Sequence, residues 1–261
     1  MKYTDLINSI TALESGGVGI TIPDTWMQGR TTYGGLSAAI CFEAARGLVD
    51  DLPIRSAQVA FVGPVGGAVQ AVPRLLRRGY NTAFVRVDMT AETGVAAQCI
   101  FAFGKSRESQ LNVASVPMPD VPDPETAASF FREGPRPGFT QNFNMKGVLG
   151  DAPMTGSDQA AIGLWLRNKD EATPMDATAV LAIADCPPPA ALSMQRIPAP
   201  ISSMTWMAEF LTETITTRDG WYFALSEAQT ARNGYSSQAM TLWNRDREPI
   251  LIGRQTIAMF G

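Results

Sequence analysis

Between Thr82 and Thr90 the chain alternates strictly: Ala83, Val85, Val87 and Met89 are apolar, and Phe84, Arg86 and Asp88 fall between them. A period of two puts successive side chains on opposite faces of an extended chain, so this run predicts a strand with one face on a core and the other in water. Val95–Phe103 is more uniformly apolar and predicts a strand covered on both faces. Trp221–Ala228, Ser236–Trp243 and Ile250–Phe260 predict a second meander, with Ile54–Val62 and Ser203–Leu211 supplying a strand ahead of each. Two runs read as helices instead. Gly35–Val49 is apolar around nearly its whole circumference, which requires that protein enclose it. Thr31, Thr32 and the Gly34-Gly35 pair can supply its cap and a bare backbone entrance. Met175–Asp185 is the second helix, stopped by Pro187-Pro188-Pro189. The expected class is α+β: one buried helix wrapped by a curved antiparallel sheet, occurring twice.

Prolines at 117, 119, 122, 124, 135 and 137 crowd the middle of the chain. Proline has no amide donor, so 117–137 cannot be an interior strand and reads as an extended connector, with one helical turn at Glu125–Phe131. It separates an expected N-terminal domain, 1–116, from a C-terminal domain, 138–261. The halves echo each other. Arg77-x-Gly79-Tyr80 is followed by Gln98-x-Ile100-x-x-Phe103-Gly104, and Arg232-x-Gly234-Tyr235 by Gln255-x-Ile257-x-x-Phe260-Gly261. The same order at nearly the same spacing implies a duplicated unit.

Composition then narrows the chemistry. The 261 residues include no histidine, which removes Ser-His-Asp and Cys-His nucleophiles, His-ligated metals and His-based dehydratases. With 21 Lys and Arg against 25 Asp and Glu, the net charge of -4 argues against nucleic acid as a partner. Cys41, Cys99 and Cys186 are odd in number, far apart and set among apolar residues, which predicts buried thiols in a reducing compartment. No unbroken signal-peptide core opens the sequence and no uncharged apolar run suits a membrane span, so the expectation is a soluble cytoplasmic protein without a membrane partner.

Tyr33-Gly34-Gly35 opening the first helix, Ala182-Ile183-Ala184-Asp185 ending the second, Trp221 on a following strand and the terminal Gly253-Arg254-Gln255 form an ordered set. In this order the sequence resembles the acyl-CoA thioesterase II family of double-hotdog proteins over essentially its whole length. The resemblance implies hydrolysis of an acyl-CoA substrate by a water held between an Asp, a Thr or Ser, and a Gln, with no cofactor or metal. Asp185 and Gln255 match two of those positions. The hydroxyl position falls at Ile201, with Ser202 and Ser203 following; strand alternation puts Ser203 and Thr205 on the face of Ile201. Ser203 is the first candidate, then Ser202, then Thr205.

Thioester hydrolysis suits these residue types. A carboxylate can take the water's proton, a Gln amide and a hydroxyl can fix its orientation, and the N–H groups at Gly34 and Gly35 can receive the developing oxyanion. Each has a plainer reading, as a helix end, an outward strand polar or a turn. Glu43 sits close to where the repeat would put the partner of Asp185, although an ungapped alignment puts Ala44 there. With Ser56 and Gln98 it would make a second site, and that half is expected to be silent. Met204, Met207, Met240 and Met259 are candidates for a pocket lining, and Arg77, Arg78 and Arg107 for CoA phosphates. The rival is a double hotdog that binds acyl-CoA or another apolar ligand without turning it over. Unpaired edges in such sheets predict a homo-oligomer, a dimer or higher.

Overall fold

Both expected helices form, and they pack against each other. The computed structural model describes every residue except Arg132, Glu133, Pro135 and Gly261. Pro135 of the connector and Gly261 of the second echo therefore lie outside the described residues. The N-terminal half runs α1 (Tyr3–Asn8), β1 (Thr11–Ala12), β2 (Val18–Ile22), β3 (Met27–Gln28), β4 (Thr31–Thr32), α2 (Gly34–Arg46), β5 (Ile54–Phe61), β6 (Gly67–Arg78), β7 (Thr82–Ala91) and β8 (Gly94–Gly104). The C-terminal half runs β9 (Phe143–Gly150), β10 (Ala161–Asn168), α3 (Ala177–Ala184), β11 (Ile201–Phe210), β12 (Tyr222–Arg232), β13 (Tyr235–Asn244) and β14 (Pro249–Met259). None of these helices is long and apolar enough to cross a membrane.

The halves join at their inner strands. β5 pairs antiparallel with β11, Glu209 opposite Ser56 and Thr205 opposite Ala60. One 12-stranded sheet results, in the order β1-β2-β6-β7-β8-β5-β11-β14-β13-β12-β10-β9. Its two sides mirror each other about the β5–β11 seam, as a duplicated unit requires. Ala83, Val85, Val87 and Met89 of β7 are fully buried against α2, whose Leu36, Ile40, Cys41 and Ala45 are buried in turn. Burying a side chain of this size stabilises by roughly 1.5–3 kcal/mol, so the alternation itself fixes which face of β7 turns inward. All three cysteines are free and buried.

Two expectations change, and one strand was not foreseen. β8 is covered on one face only, because Val95 and Ile100 remain exposed on the other. The connector's turn lies at Asp123–Ala127, where the amides of Thr126 and Ala127 both reach the Asp123 carbonyl, and Ser129 instead bridges to Lys146 of β9. β6 escapes an alternation search because it carries Pro73 and a basic, largely exposed end. Pro73 is tolerated because β2 covers β6 only as far as Ala71, so no neighbour on that side needs its missing N–H.

The connector has a binding surface of its own. Trp165, Phe223 and Trp243 lie opposite one another across β10, β12 and β13, forming a row on which Met118, Val116 and Val121 pack. A proline-rich segment offers carbonyls and few donors, and the row answers in kind. Trp165 Nε1 donates to the Pro122 carbonyl at 2.8 Å, and Trp243 Nε1 to the Val116 carbonyl at 2.8 Å. Trp165→Phe keeps an aromatic ring in the row, trims the indole and removes the donor. We expect it to lower stability by about 1 kcal/mol in chemical denaturation, with the fold unchanged by circular dichroism.

Candidate active site

α3 ends because Pro187 follows closely on its last turn, and Asp185 is left as its C-cap with φ -96°. Its half-buried carboxylate meets a donor and a helix N-terminus from different parts of the fold. Gln255 Nε2 on β14 donates to Asp185 Oδ1 at 2.8 Å, and the backbone amide of Gly35, in the first turn of α2, is near enough to favour the charged carboxylate. The N-terminus of α2 thus faces a carboxylate from the other half of the chain. Thr31 and Thr32 do not cap the helix, since the N-cap is Tyr33 without a side-chain bond and Thr31 Oγ1 instead accepts from the amide of Val65. An anion is favoured here because first-turn N–H groups have no partners within the helix.

Both positions of the entrance are close approaches, Gly34 to side chains and Gly35 to backbone. A Cβ on Gly34 would lie 2.6 Å from Asp185 Oδ2 and 2.5 Å from Phe61 Cζ, and one on Gly35 would lie 2.6 Å from the Ala182 carbonyl oxygen. Gln255 is almost wholly buried and is itself held. Gln238 Nε2 of β13 donates to Gln255 Oε1 at 2.9 Å, and Gln238 Oε1 accepts from the Ala190 amide at 2.9 Å. Burial disfavours the charged carboxylate and pushes Asp185 up from 3.8 to about 7, against the opposing pull of Gln255 and Gly35. A base in that range is half-protonated near neutrality.

Asp185, Gln255 and Gly34 line an open cavity of about 1280 Å³. Phe61, Phe139, Leu192 and Ile201 give it an apolar wall, while Gln28, Arg30, Glu92 and Thr93 line a polar part. Ser202 and Ser203 also line it. Thr205 does not, and the reason is a bulge. Ser203 lies opposite Ile257 and Thr205 opposite Thr256, so Met204 is an extra residue and the alternation reverses. Thr205 is turned to the exposed face, and the residue across from Gln255 is Trp206. Among the described residues, no hydrogen bond joins the Ser203 hydroxyl to Gln255 or Asp185.

Comparison with known proteins decides the family. A family model described as the acyl-CoA thioesterase N-terminal domain matches residues 22–104, and one for the C-terminal domain matches residues 115–259. The chain belongs to the acyl-CoA thioesterase family. It is a thioester hydrolase with a double-hotdog fold. A search of curated protein sequences finds no match. Among solved structures, it is similar to a hot dog fold protein from Alicyclobacillus acidocaldarius (20% identity, 100% of this chain and 99% of that one, TM-score 0.88). It is also similar to the tesB protein of Mycobacterium avium subs paratuberculosis (15% identity, 100% of both chains, TM-score 0.81). A third is the acyl-CoA thioesterase II TesB2 from Mycobacterium marinum (15% identity, 98% of both chains, TM-score 0.76).

In this thioesterase the set Glu43, Ser56 and Gln98 does not converge. Glu43 accepts from Thr178 Oγ1 and from Arg46, while Gln98 is exposed and donates to Asp88 at 2.8 Å. The echoed motifs fall on equivalent strands, but one residue out of phase: Gln98 and Ile100 face outward on β8, where Gln255 and Ile257 face inward on β14. Of the methionines singled out, Met204 and Met207 are exposed and Met240 belongs to the core; Met27 and Met154 line the cavity instead. Arg77, Arg78 and Arg107 do not line it, and Arg78 pairs with Asp51; Arg30 lines it. Sequence reasoning missed Gln238, although a signal for it exists. Ser236, Gln238, Met240 and Leu242 are the buried side of β13, and a glutamine on an apolar alternation is a buried amide that must find partners.

Proposed function

We propose that the thioesterase hydrolyses acyl-CoA to a free acid and CoA with Asp185 as the general base for a water in the cavity. The observation that carries this reading is the Gln255–Asp185 hydrogen bond beside the α2 N-terminus, on the wall of an apolar cavity. Asp185 takes one proton from water as its oxygen attacks the thioester carbon. The carbonyl electron pair moves to oxygen, where first-turn N–H groups of α2 stabilise it, each such donor being worth about 3 kcal/mol. As the C–S bond breaks, the thiolate leaves and recovers the proton from Asp185. A thiolate is a good leaving group, so the chemistry proceeds without imidazole.

Gln255 acts as a donor in this scheme. Its Oε1 is already occupied by Gln238, so the amide serves the site through Nε2: one hydrogen holds Asp185 and the other is directed to water or oxyanion. Ser203, which lines the cavity beside Ser202, is the hydroxyl we assign to contact the substrate. The acyl chain lies against Phe61, Phe139, Leu192 and Ile201, and the polar part of the cavity takes the pantetheine end. A cytoplasmic homo-oligomer completes the reading; β1 ends one side of the sheet as an edge strand, while the connector bridges part of β9 at the other.

The test is free-thiol release from acyl-CoAs of graded length and shape, comparing wild type with Gln255→Ala. We expect turnover by the wild type and a loss of kcat of about 10–100-fold in the variant. The acid limb of its kcat profile moves to higher pH, because losing a donor that favours the carboxylate raises the base's pKa. Binding of acyl-CoA without thiol release by the wild type would instead select the ligand-binding reading.

A further inference from the structure

Gln255 has a side chain whose two ends are nearly the same shape, yet only the nitrogen end can hold a carboxylate. Rotating the amide by half a turn would put Oε1 against Asp185, acceptor against acceptor. Something must choose the sense, and the choice is traceable along the chain. Pro187, Pro188 and Pro189 have no N–H, so the first amide donor after Cys186 is that of Ala190. That amide donates to Gln238 Oε1 at 2.9 Å, and a backbone N–H can only donate. Gln238 is therefore fixed with Nε2 toward Gln255, where it donates to Oε1 at 2.9 Å. Gln255 is in turn fixed with Nε2 toward Asp185.

We propose that Gln238 is a positioning residue, which passes the donor sense of the Ala190 amide through Gln255 to Asp185 and so keeps the general base oriented. The relay closes a ring, because Ala190 lies on the same proline-stiffened loop as Asp185. Gln238 is fully buried, so its amide has no water with which to exchange partners. It does not line the cavity, so it acts only through Gln255. The inference rests on the hydrolase reading for its effect on rate, but the orientation of Asp185 exists without turnover.

The test uses Gln238→Met, which keeps volume and removes both hydrogen bonds, and Gln238→Glu. The ionised Glu can still accept from Ala190 but offers Gln255 no donor. In each variant kcat for acyl-CoA hydrolysis should fall about tenfold or more while KM changes less than about threefold. The midpoint of the acid limb should rise in both, because Asp185 loses a fixed donor. The titratable groups around Asp185 are Tyr33 and Cys186, both pushed up by burial and neutral across this range, with Arg30 and Glu92 further out on the same cavity. A titration of the Asp185 carboxyl carbon by NMR reads the same midpoint without substrate. A raised midpoint in Gln238→Met supports the relay even if no thioester is turned over, in which case the hydrolase reading alone fails. A folded Gln238→Met with the wild-type midpoint overturns the relay, whether kcat is unchanged or has fallen along with thermal stability.

Discussion

Asp185→Asn is expected to lower kcat by about two orders of magnitude or more while leaving acyl-CoA affinity within about threefold of wild type. The substitution keeps the shape of the side chain and one acceptor for Gln255, and it removes the group proposed to take the proton. It should also change how stability depends on pH. In the folded protein burial raises Asp185 to about 7 from the ordinary 3.8. Between those values the folded state holds a proton that the unfolded chain has released, so stability falls as pH rises through the window and levels off above it. An asparagine has no such dependence. The stability of Asp185→Asn relative to wild type should therefore grow from about pH 5 to about pH 8, as read by denaturant midpoints at each pH. A constant difference would mean that the carboxyl is not held protonated by its surroundings.

Gly35→Ala is the second large effect, and it acts on folding. The added methyl would lie 2.6 Å from the Ala182 carbonyl oxygen and 2.9 Å from that of Leu181, both backbone atoms of α3 that cannot turn aside. The two helices must separate, and overpacking of this kind costs about 1–3 kcal/mol or more. Their separation also moves the α2 N-terminus away from Asp185, so activity should fall with stability. Thermal unfolding and thiol release measured on the same preparation check both. A variant with wild-type melting temperature and rate would show that the helices do not depend on this close approach.

The architecture was legible where a strand's alternation is strict or a proline run stops a helix. Ala83, Val85, Val87 and Met89 announce β7, and the Pro187–Pro189 run announces the end of α3, because both patterns are local. β6 was hidden by Pro73 and its exposed arginines, and the faces of β8 by exposed residues that happen to be apolar. At the site, Asp185, Gln255 and the Gly34-Gly35 pair come together across 221 residues of chain, a separation given by Gly34 and Gln255. A family resemblance could propose that assembly, and alternation alone could not. Thr205 shows why. One extra residue at Met204 reverses every side chain beyond it, and such a bulge leaves no mark in composition. The Gln98–Gln255 echo misleads in the same way, since a one-residue change of phase turns the same amide from cavity wall to solvent.

The central claim is that this thioesterase holds its base at the edge of ionisation with a half-buried carboxyl, an amide donor and a helix N-terminus. The kcat of the wild type for an acyl-CoA, followed by thiol release from about pH 5 to about pH 9, tests it most directly. A single rising limb centred near 7, absent from the residual rate of Asp185→Asn, is the predicted result. A flat profile, or a limb that survives unchanged in Asp185→Asn, would contradict it and place the base elsewhere.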